Sequence, residues 1–287
     1  MYNKVKHMEK FVNKIFFKDA RKMAELPNNS VNLIITSPPY FNIKDYSKDG
    51  YQNKKISKKS KGQIGDINNY KKYISEMLKI WRECARVLKP NGKLIINTPL
   101  MPMLKKDYNT HFNRHIFNIN SDIETSILSN IEDIFLLDVY IWNRKNSTKR
   151  LMFGSYPYPR NFYAQNTIEF ISVYVKDGKS ENGMAKKIKD QSKLSQKEWL
   201  DYTKQIWTIP IPNKGDLAFG DHAAIMPEEI VKRCIKLFTH VGDVVLDPFT
   251  GSGTTLKVAK ELKRNYIGYE VSKEYEKIIF LKLDSVK

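Results

Sequence analysis

The chain has 287 residues, 41% hydrophobic and 12% aromatic, enough apolar content for one large core and too much for a disordered chain. With 13 Gly, 2 Cys and no run of eighteen apolar residues, neither a collagen-like chain, a disulfide scaffold nor a membrane span is expected. Its 49 Lys and Arg against 31 Asp and Glu give a net charge of +18, a field that concentrates polyanions such as nucleic acid.

Taken in chain order, short β-branched runs alternate with amphipathic helical stretches, the pattern of a mostly parallel sheet covered on both faces. Seven strands are predicted, at Lys14–Asp19, Val31–Thr36, Lys93–Asn97, Phe135–Trp142, Ile168–Val175, Val244–Asp247 and Tyr266–Glu270. Between them, Tyr70–Leu88 repeats Tyr73, Met77, Ile80, Trp81, Cys84 and Val87 on one helical face and stops at Lys89-Pro90-Asn91-Gly92. Pro227–Phe238 starts with Pro and two Glu, as a helix N-terminus favours, and Thr254–Leu262 and Lys273–Leu283 complete the helices. Three stretches break the alternation. Phe41–Asn69 is polar and Lys-rich, including Lys54, Lys55, Lys58 and Lys59, and is either a solvated mobile loop or a clamp on DNA. Asn143–Tyr163 interleaves Arg144, Lys145, Lys149, Arg150 and Arg160 with Phe153, Tyr156, Tyr158 and Phe162, as a surface that tracks a backbone and stacks on bases requires. Asp177–Gln205 is mixed in charge, with a short helix predicted around Gln196–Lys204. The basic start of the chain has no apolar stretch after it, so no secretory signal is expected and the chain reads as cytosolic. Cys84 and Cys234 read as buried thiols, and the five His show no ligand spacing, so no metal is expected.

Two segments carry the chemistry. Thr36-Ser37-Pro38-Pro39-Tyr40 follows the strand Val31–Thr36 directly, and two prolines end the strand in a stiff extended turn at its carboxyl end, where open α/β sheets bind ligands. Serine and proline are also ordinary turn residues. The functional reading is that hydroxyl and carbonyl oxygens accept from the amine of a planar base while the Tyr40 ring stacks on it. Val244-Val245-Leu246-Asp247-Pro248-Phe249-Thr250-Gly251-Ser252-Gly253-Thr254-Thr255 is an apolar strand, a Gly turn and a helix start. It lacks the Gly-Lys ending of a phosphate loop and the third Gly of a dinucleotide fingerprint, while Glu270 ends the next strand where an acid holds ribose hydroxyls. A ligand with a ribose and no phosphate fits this set better than a nucleotide.

Together these segments resemble the amino-group DNA methyltransferases that use S-adenosylmethionine, in the circularly permuted order of the beta group, with the SPPY element first and the cofactor element about two hundred residues later. The resemblance covers nearly the whole chain. Ile15–Asp19 is similar to the strand end whose acid lies near the cofactor adenine, although Lys18 stands where Gly is common. Arg86–Leu94 resembles RVLKPGG with Asn91 for the first Gly, and His222-Ala223-Ala224-Ile225-Met226-Pro227 resembles the segment before the helix at the cofactor's methionine end. Trp142-Asn143-Arg144 and Glu169–Lys176 resemble the two strands before the recognition region. The resemblance implies a seven-stranded S-adenosylmethionine-dependent methyltransferase fold with a catalytic domain over 1–142 and 206–287, the basic loop 41–69 inserted, and a target-recognition region over 143–205 that includes the core strand 168–175. It implies Ser37, Pro38, Pro39 and Tyr40 as the catalytic turn. Asp19, Thr36, His222, Pro227, Asp247, Pro248, Phe249, Gly251, Ser252, Gly253, Thr254, Thr255 and Glu270 would hold the cofactor. Lys54, Lys55, Lys58, Lys59, Arg144, Lys145, Lys149, Arg150, Tyr156, Tyr158 and Arg160 would meet double-stranded DNA. SPPY is the family's usual signature for cytosine N4, with adenine N6 as the alternative, and a cognate restriction endonuclease is a candidate partner. Two further readings are a methyltransferase of RNA or protein amides and a DNA-binding protein that has lost catalysis.

Overall fold

The computed structural model describes residues 10–41, 64–104, 111, 114–145, 155–180, 183–213, 215–218 and 225–286. Ten strands lie among them: β1 (Lys14–Phe16), β2 (Val31–Thr36), β3 (Leu88–Pro99), β4 (Met101–Leu104), β5 (Arg114–Phe117), β6 (Ile134–Lys145), β7 (Ile168–Lys176), β8 (Ile206–Pro210), β9 (Val244–Asp247) and β10 (Asn265–Tyr269). The helices are α1 (Tyr70–Val87), α2 (Ile119–Leu128), α3 (Lys186–Gln191), α4 (Gln196–Tyr202), α5 (Glu228–Phe238), α6 (Thr254–Glu261) and α7 (Glu276–Asp284). No helix among the described residues is long and apolar enough to cross a membrane.

The main sheet has eight strands in the order β1-β10-β9-β2-β3-β7-β6-β8, and β4 and β5 form a separate antiparallel ribbon. Only β7 runs against the other strands of the described sheet: it pairs antiparallel with β3 and β6, and every other pairing is parallel. The parallel α/β architecture stands, and one strand is added to the seven. The eighth strand, β8, follows the short α4 and alternates exposed and buried residues (Trp207 and Ile209 inward), a pattern that Pro210 and Pro212 mask in the sequence.

Alternation along the strands divides the core into two faces. Val31, Ile34, Leu94, Ile96, Leu246 and Ile267 pack under Tyr73, Met77, Ile80 and Trp81 of α1 and Ile119, Ile123 and Ile127 of α2. Leu33, Ile35, Ile95, Ile171, Val173 and Val245 pack under Ile230, Val231, Cys234 and Ile235 of α5 and Val258 and Ala259 of α6. Both cysteines are buried free thiols. Helix α1 starts where the Asn69 side chain accepts from the Lys72 amide at 3.0 Å. Its exit passes through Asn91 at φ +60°, a left-handed conformation that Asn tolerates, which explains how Asn stands in for Gly there. The turn inserts residues between Val31↔Leu88 and Leu33↔Lys93, so β3 assembles beside β2 around a bulge. The predicted helix Lys273–Leu283 is a single tight turn, Lys273–Tyr275, followed by α7.

Within the expected recognition region, one helix is docked on α5. Helix α4 is clasped to α5 by ion pairs Glu198–Lys236 and Asp201–Arg233 (2.7 Å), and the Arg233 guanidinium lies 4.8 Å over the Tyr202 ring. The Lys236 ammonium holds the Glu198 carboxyl down to about 2.

Candidate active site

The parallel order brings the carboxyl ends of β1, β10, β9, β2 and β3 to one edge, and the two chemistry-bearing turns meet there. Thr36, the last residue of β2, donates its hydroxyl to Asp247 Oδ1 at 2.8 Å, and the Phe249 amide donates to the same oxygen at 3.0 Å. A side-chain bond from Thr255 completes this shell. Asp247 is buried, and burial pushes its carboxyl up to about 6 against those three hydrogen bonds. The seam from Thr36 to Asp247 therefore fixes the SPPY turn against the Gly turn, although the two lie 211 residues apart in the chain.

In the SPPY turn, Ser37 is half-buried, Pro38 and Tyr40 are buried, and the Ser37 and Tyr40 hydroxyls share a 2.6 Å hydrogen bond. The Tyr73 hydroxyl of α1 donates to the Pro39 carbonyl at 3.0 Å and holds the turn from below. Phe41 packs into an aromatic cluster with Tyr70, Tyr73 and Phe117, which leaves half-buried Phe249, edge-on to Trp81 at 6.3 Å, as the second aromatic at the edge.

The Gly turn is shaped for close packing. Gly253 sits at φ +84°, and a Cβ there would stand 3.1 Å from Ile279 of α7; a Cβ on Gly268 would stand 2.5 Å from Thr250 Oγ1. Glu270 accepts from the Gly251 amide at 2.9 Å and from the Ser272 amide at 2.8 Å, tying the end of β10 to the turn, and burial raises its carboxyl. No ion pair among the described residues reaches Asp247 or Glu270. Two buried acids without a cation would repel a phosphate and suit a ligand that brings hydroxyl donors and a positive charge, which is the donor set S-adenosylmethionine offers. Pro227 is buried at the start of α5, and Glu228 bridges Lys257 of α6 at 2.6 Å, so the start of α5 lies against the Gly turn's helix.

Asp19 stands apart from this acid set. Its carboxylate accepts from the Arg21 backbone at 2.9 Å and pairs with the Arg21 guanidinium, which also reaches Glu76 on α1. The end of β1 is nonetheless joined to Glu270, whose amide donates to the Phe16 carbonyl at 3.0 Å.

Of the expected DNA contacts, Arg144 is turned inward, where it bridges Glu169 at 3.3 Å and donates to the Asn166 carbonyl, so it holds β6 to β7 and shows no guanidinium to solvent beyond a small fraction. Lys145 and Arg160 are exposed, and Tyr156, Tyr158 and Phe162 are 69%, 75% and 73% exposed. Such exposure is uncommon for three aromatics in one short stretch and fits a surface kept for a flat partner. Lys54, Lys55, Lys58, Lys59, Lys149, Arg150 and His222 lie outside the described residues.

The sequence reading missed Lys282. It is 1% exposed, donates to Thr254 Oγ1 at 2.9 Å and Ser252 Oγ at 3.3 Å, and pairs with Asp216 at 3.0 Å. Burial lowers its pKa, opposed by Asp216. The signal was present: Lys282 shares a helical face with Ile279 and Leu283, where a lysine is unexpected. Asn97 and Tyr73 were missed in the same way, as polar groups ending or interrupting apolar patterns.

A family model described as DNA methylase matches residues 31–281. The chain is 31% identical over 282 residues to the type II methyltransferase M.MjaI of Methanocaldococcus jannaschii, covering 93% of this chain and 89% of that one. Among solved structures, it superposes with a TM-score of 0.72 on TTHA0409 of Thermus thermophilus in complex with S-adenosyl-L-methionine, a candidate DNA modification methylase, at 26% identity over 95% of this chain and 94% of that one. The cytosine-N4-specific PvuII DNA methyltransferase shares the fold, with a TM-score of 0.65 and 19% identity over 94% of this chain and 85% of that one.

Proposed function

The chain belongs to the N6/N4 DNA methylase family, with S-adenosylmethionine as its cofactor, and we propose that it methylates the exocyclic N4 amine of cytosine in double-stranded DNA at a specific site. The observation that supports this reading is the Thr36–Asp247 hydrogen bond, which ties the serine-headed proline turn to the buried acid that heads the Gly turn.

Bound cofactor supplies an electrophilic methyl group on a sulfonium. The protein's part is to deliver an amine to it. A target base reaches the pocket only when swung out of the duplex, at a cost of a few kcal/mol that stacking offsets by about 1–3 kcal/mol per base. Tyr40 and Phe249 are the aromatics at the edge for that stacking, and Tyr40 gives up its bond to Ser37 as the base arrives. The amine's lone pair is delocalised into the ring, so it is a poor nucleophile. Ser37 Oγ accepts one N–H and the Pro38 carbonyl the other, since Tyr73 already donates to the Pro39 carbonyl, and the two bonds draw the nitrogen toward a tetrahedral shape. A serine hydroxyl is too weak a base to take the proton first, so the proton leaves after methyl transfer. Positioning and oriented dipoles supply the rate.

Serine at the head of the turn supports cytosine N4 over adenine N6. Tyr156, Tyr158, Phe162, Lys145 and Arg160 form the exposed surface proposed for DNA, and the recognition region is proposed to span 143–205 less the docked α4; the lysines and arginine of the basic stretches, Lys54, Lys55, Lys58, Lys59, Lys149 and Arg150, are proposed as further DNA contacts from the sequence. A type II relative supports a setting of restriction and modification in the cytosol, with a cognate endonuclease as partner. The test is mass spectrometry of nucleosides from unmethylated genomic DNA incubated with the protein and S-adenosylmethionine. N4-methyldeoxycytidine is expected. N6-methyldeoxyadenosine would overturn the choice of base, and methyl transfer to RNA or protein alone would overturn the substrate class.

A further inference from the structure

Buried polar atoms almost always find partners, and three that lack one among the described residues gather at one place: Asn97 Oδ1, Arg144 Nε and Asn166 Oδ1. They belong to a single chain of contacts. Asn97, 3% exposed near the carboxyl end of β3, donates through Nδ2 to Glu169 Oε2 at 2.6 Å. Glu169 is bridged by Arg144 at 3.3 Å, and Arg144 donates in turn to the Asn166 carbonyl.

This cluster lies beside the catalytic turn. Thr36 is in register with Ile96, so Ser37 and Asn97 are the next residues on two parallel strands, about 5 Å apart by ordinary strand spacing. Leu33, Ile35 and Ile95 share the core face under α5, and alternation places Ser37 and Asn97 on that same face; Pro38 holds Ser37 in the extended conformation that continues it. Ile171, Val173, Tyr140 and Trp142 place Glu169 and Arg144 on the same face by the same count.

An ionised carboxylate can only accept, so the Glu169 bond fixes the Asn97 amide in one of its two flips and commits Oδ1 as an acceptor. Burial raises the Glu169 carboxyl, and the Arg144 cation and the Asn97 amide oppose that rise. Ser37 has the complementary need. To accept an N–H from the target amine it must give its own hydroxyl proton to another acceptor, and among the described residues Asn97, on the adjacent strand, has an uncommitted oxygen. Ser37 Oγ is bonded to Tyr40 here, so the contact closes by a side-chain rotation when the base displaces that hydroxyl.

We infer that Asn97 is a positioning residue for methyl transfer, accepting the Ser37 hydroxyl proton so that Ser37's lone pairs face the target amine, with Glu169 and Arg144 fixing the orientation of its amide. The inference rests on the proposed amine methyl transfer and deepens it. No proton is relayed along the chain; polarisation of linked hydrogen bonds makes the serine a better acceptor.

The test is a double-mutant cycle on single-turnover methyl transfer to genomic DNA at saturating S-adenosylmethionine, with the cofactor KM and the melting temperature read for each variant. Asn97→Ala and Glu169→Gln should each slow transfer at least tenfold with the cofactor KM within twofold, and neither should slow it further when added to Ser37→Ala. Glu169→Gln keeps the side-chain volume and decides the matter if Asn97→Ala does not fold. Transfer within twofold of the parent protein, slowing that multiplies with Ser37→Ala, or loss that tracks the cofactor KM would each overturn the inference. A parent protein that makes no methylated nucleoside would overturn the proposed function instead, so the two failures are distinct.

Discussion

The edge where β9, β2 and β3 end and the stretch from Lys145 to Tyr163 solve opposite problems. At the edge, polar groups from distant parts of the chain are bonded to one another: Thr36 to Asp247, Glu270 to Gly251, Lys282 to Thr254, Tyr73 to Pro39. Across Tyr156–Phe162, large aromatics stand in solvent. Groups that must meet a reacting atom within a fraction of an ångström are fixed by neighbours from distant parts of the chain, whereas groups that meet a long, flat, charged partner are left open to it. Substitutions should separate accordingly: at the edge they cost stability and cofactor binding, on the exposed stretch they cost DNA affinity alone.

The largest effect is expected at Lys282→Met, which leaves the partly buried Asp216 without its cation; breaking a buried pair costs about 3–5 kcal/mol, visible as a fall in denaturation midpoint, and Asp216→Asn added to it should recover part of the loss. A drop below about 1 kcal/mol would remove the edge's claim to tight coupling. Asp247→Asn goes the other way. A buried acid raised to about 6 from 3.8 binds its proton more tightly when folded, so it costs stability above pH 6 and nothing below about pH 4. The Asn variant should gain up to about 3 kcal/mol at pH 8, lose that gain as pH falls through 6 to 4, and bind cofactor more weakly. Thermal melts across pH 4–8 would show it.

Smaller effects are expected on the open stretch. Tyr158→Ala should leave the melting temperature unchanged and weaken DNA binding by about 1–3 kcal/mol in fluorescence titration. Lys145→Ala should lower the slope of log affinity against log salt by roughly 1, with little change in specificity. Arg144→Ala offers the sharpest contrast between neighbours. It leaves Glu169 buried without its cation and should destabilise the fold, although residue 144 adjoins Lys145 in sequence.

The same contrast explains what the sequence disclosed. Val31–Thr36 and Val244–Asp247 match the predicted bounds because an apolar run followed at once by prolines or glycines has a sharp end. The role of Tyr70–Val87 was plain from its 3.6-residue period. Ile206–Pro210 was not, since five alternating residues between a helix and a proline make a weak strand signal until Trp207 and Ile209 find the core. Helix α2 was hidden because only Ile119, Ile123 and Ile127 carry its pattern. At the site, residues in the turns were legible as motifs. Lys282, Asn97 and Glu169 were not, because their meaning lies in partners from other strands and helices: an exposed lysine and a buried one are the same letter. The inward partner of Arg144 was hidden for the same reason: it is one of several basic residues in line, and its guanidinium finds Glu169 behind it.

The most direct test of the central claim, that the SPPY turn performs the chemistry while the acid and glycine turn beside it holds the cofactor, is Ser37→Ala measured two ways on one preparation. Calorimetric affinity for S-adenosylmethionine should stay within twofold of the parent protein, while methylated nucleoside formed per hour falls by about 10²–10³, the usual loss for a deleted transition-state hydrogen bond. Near-normal turnover, or a cofactor affinity that falls as far as the rate does, would contradict the account.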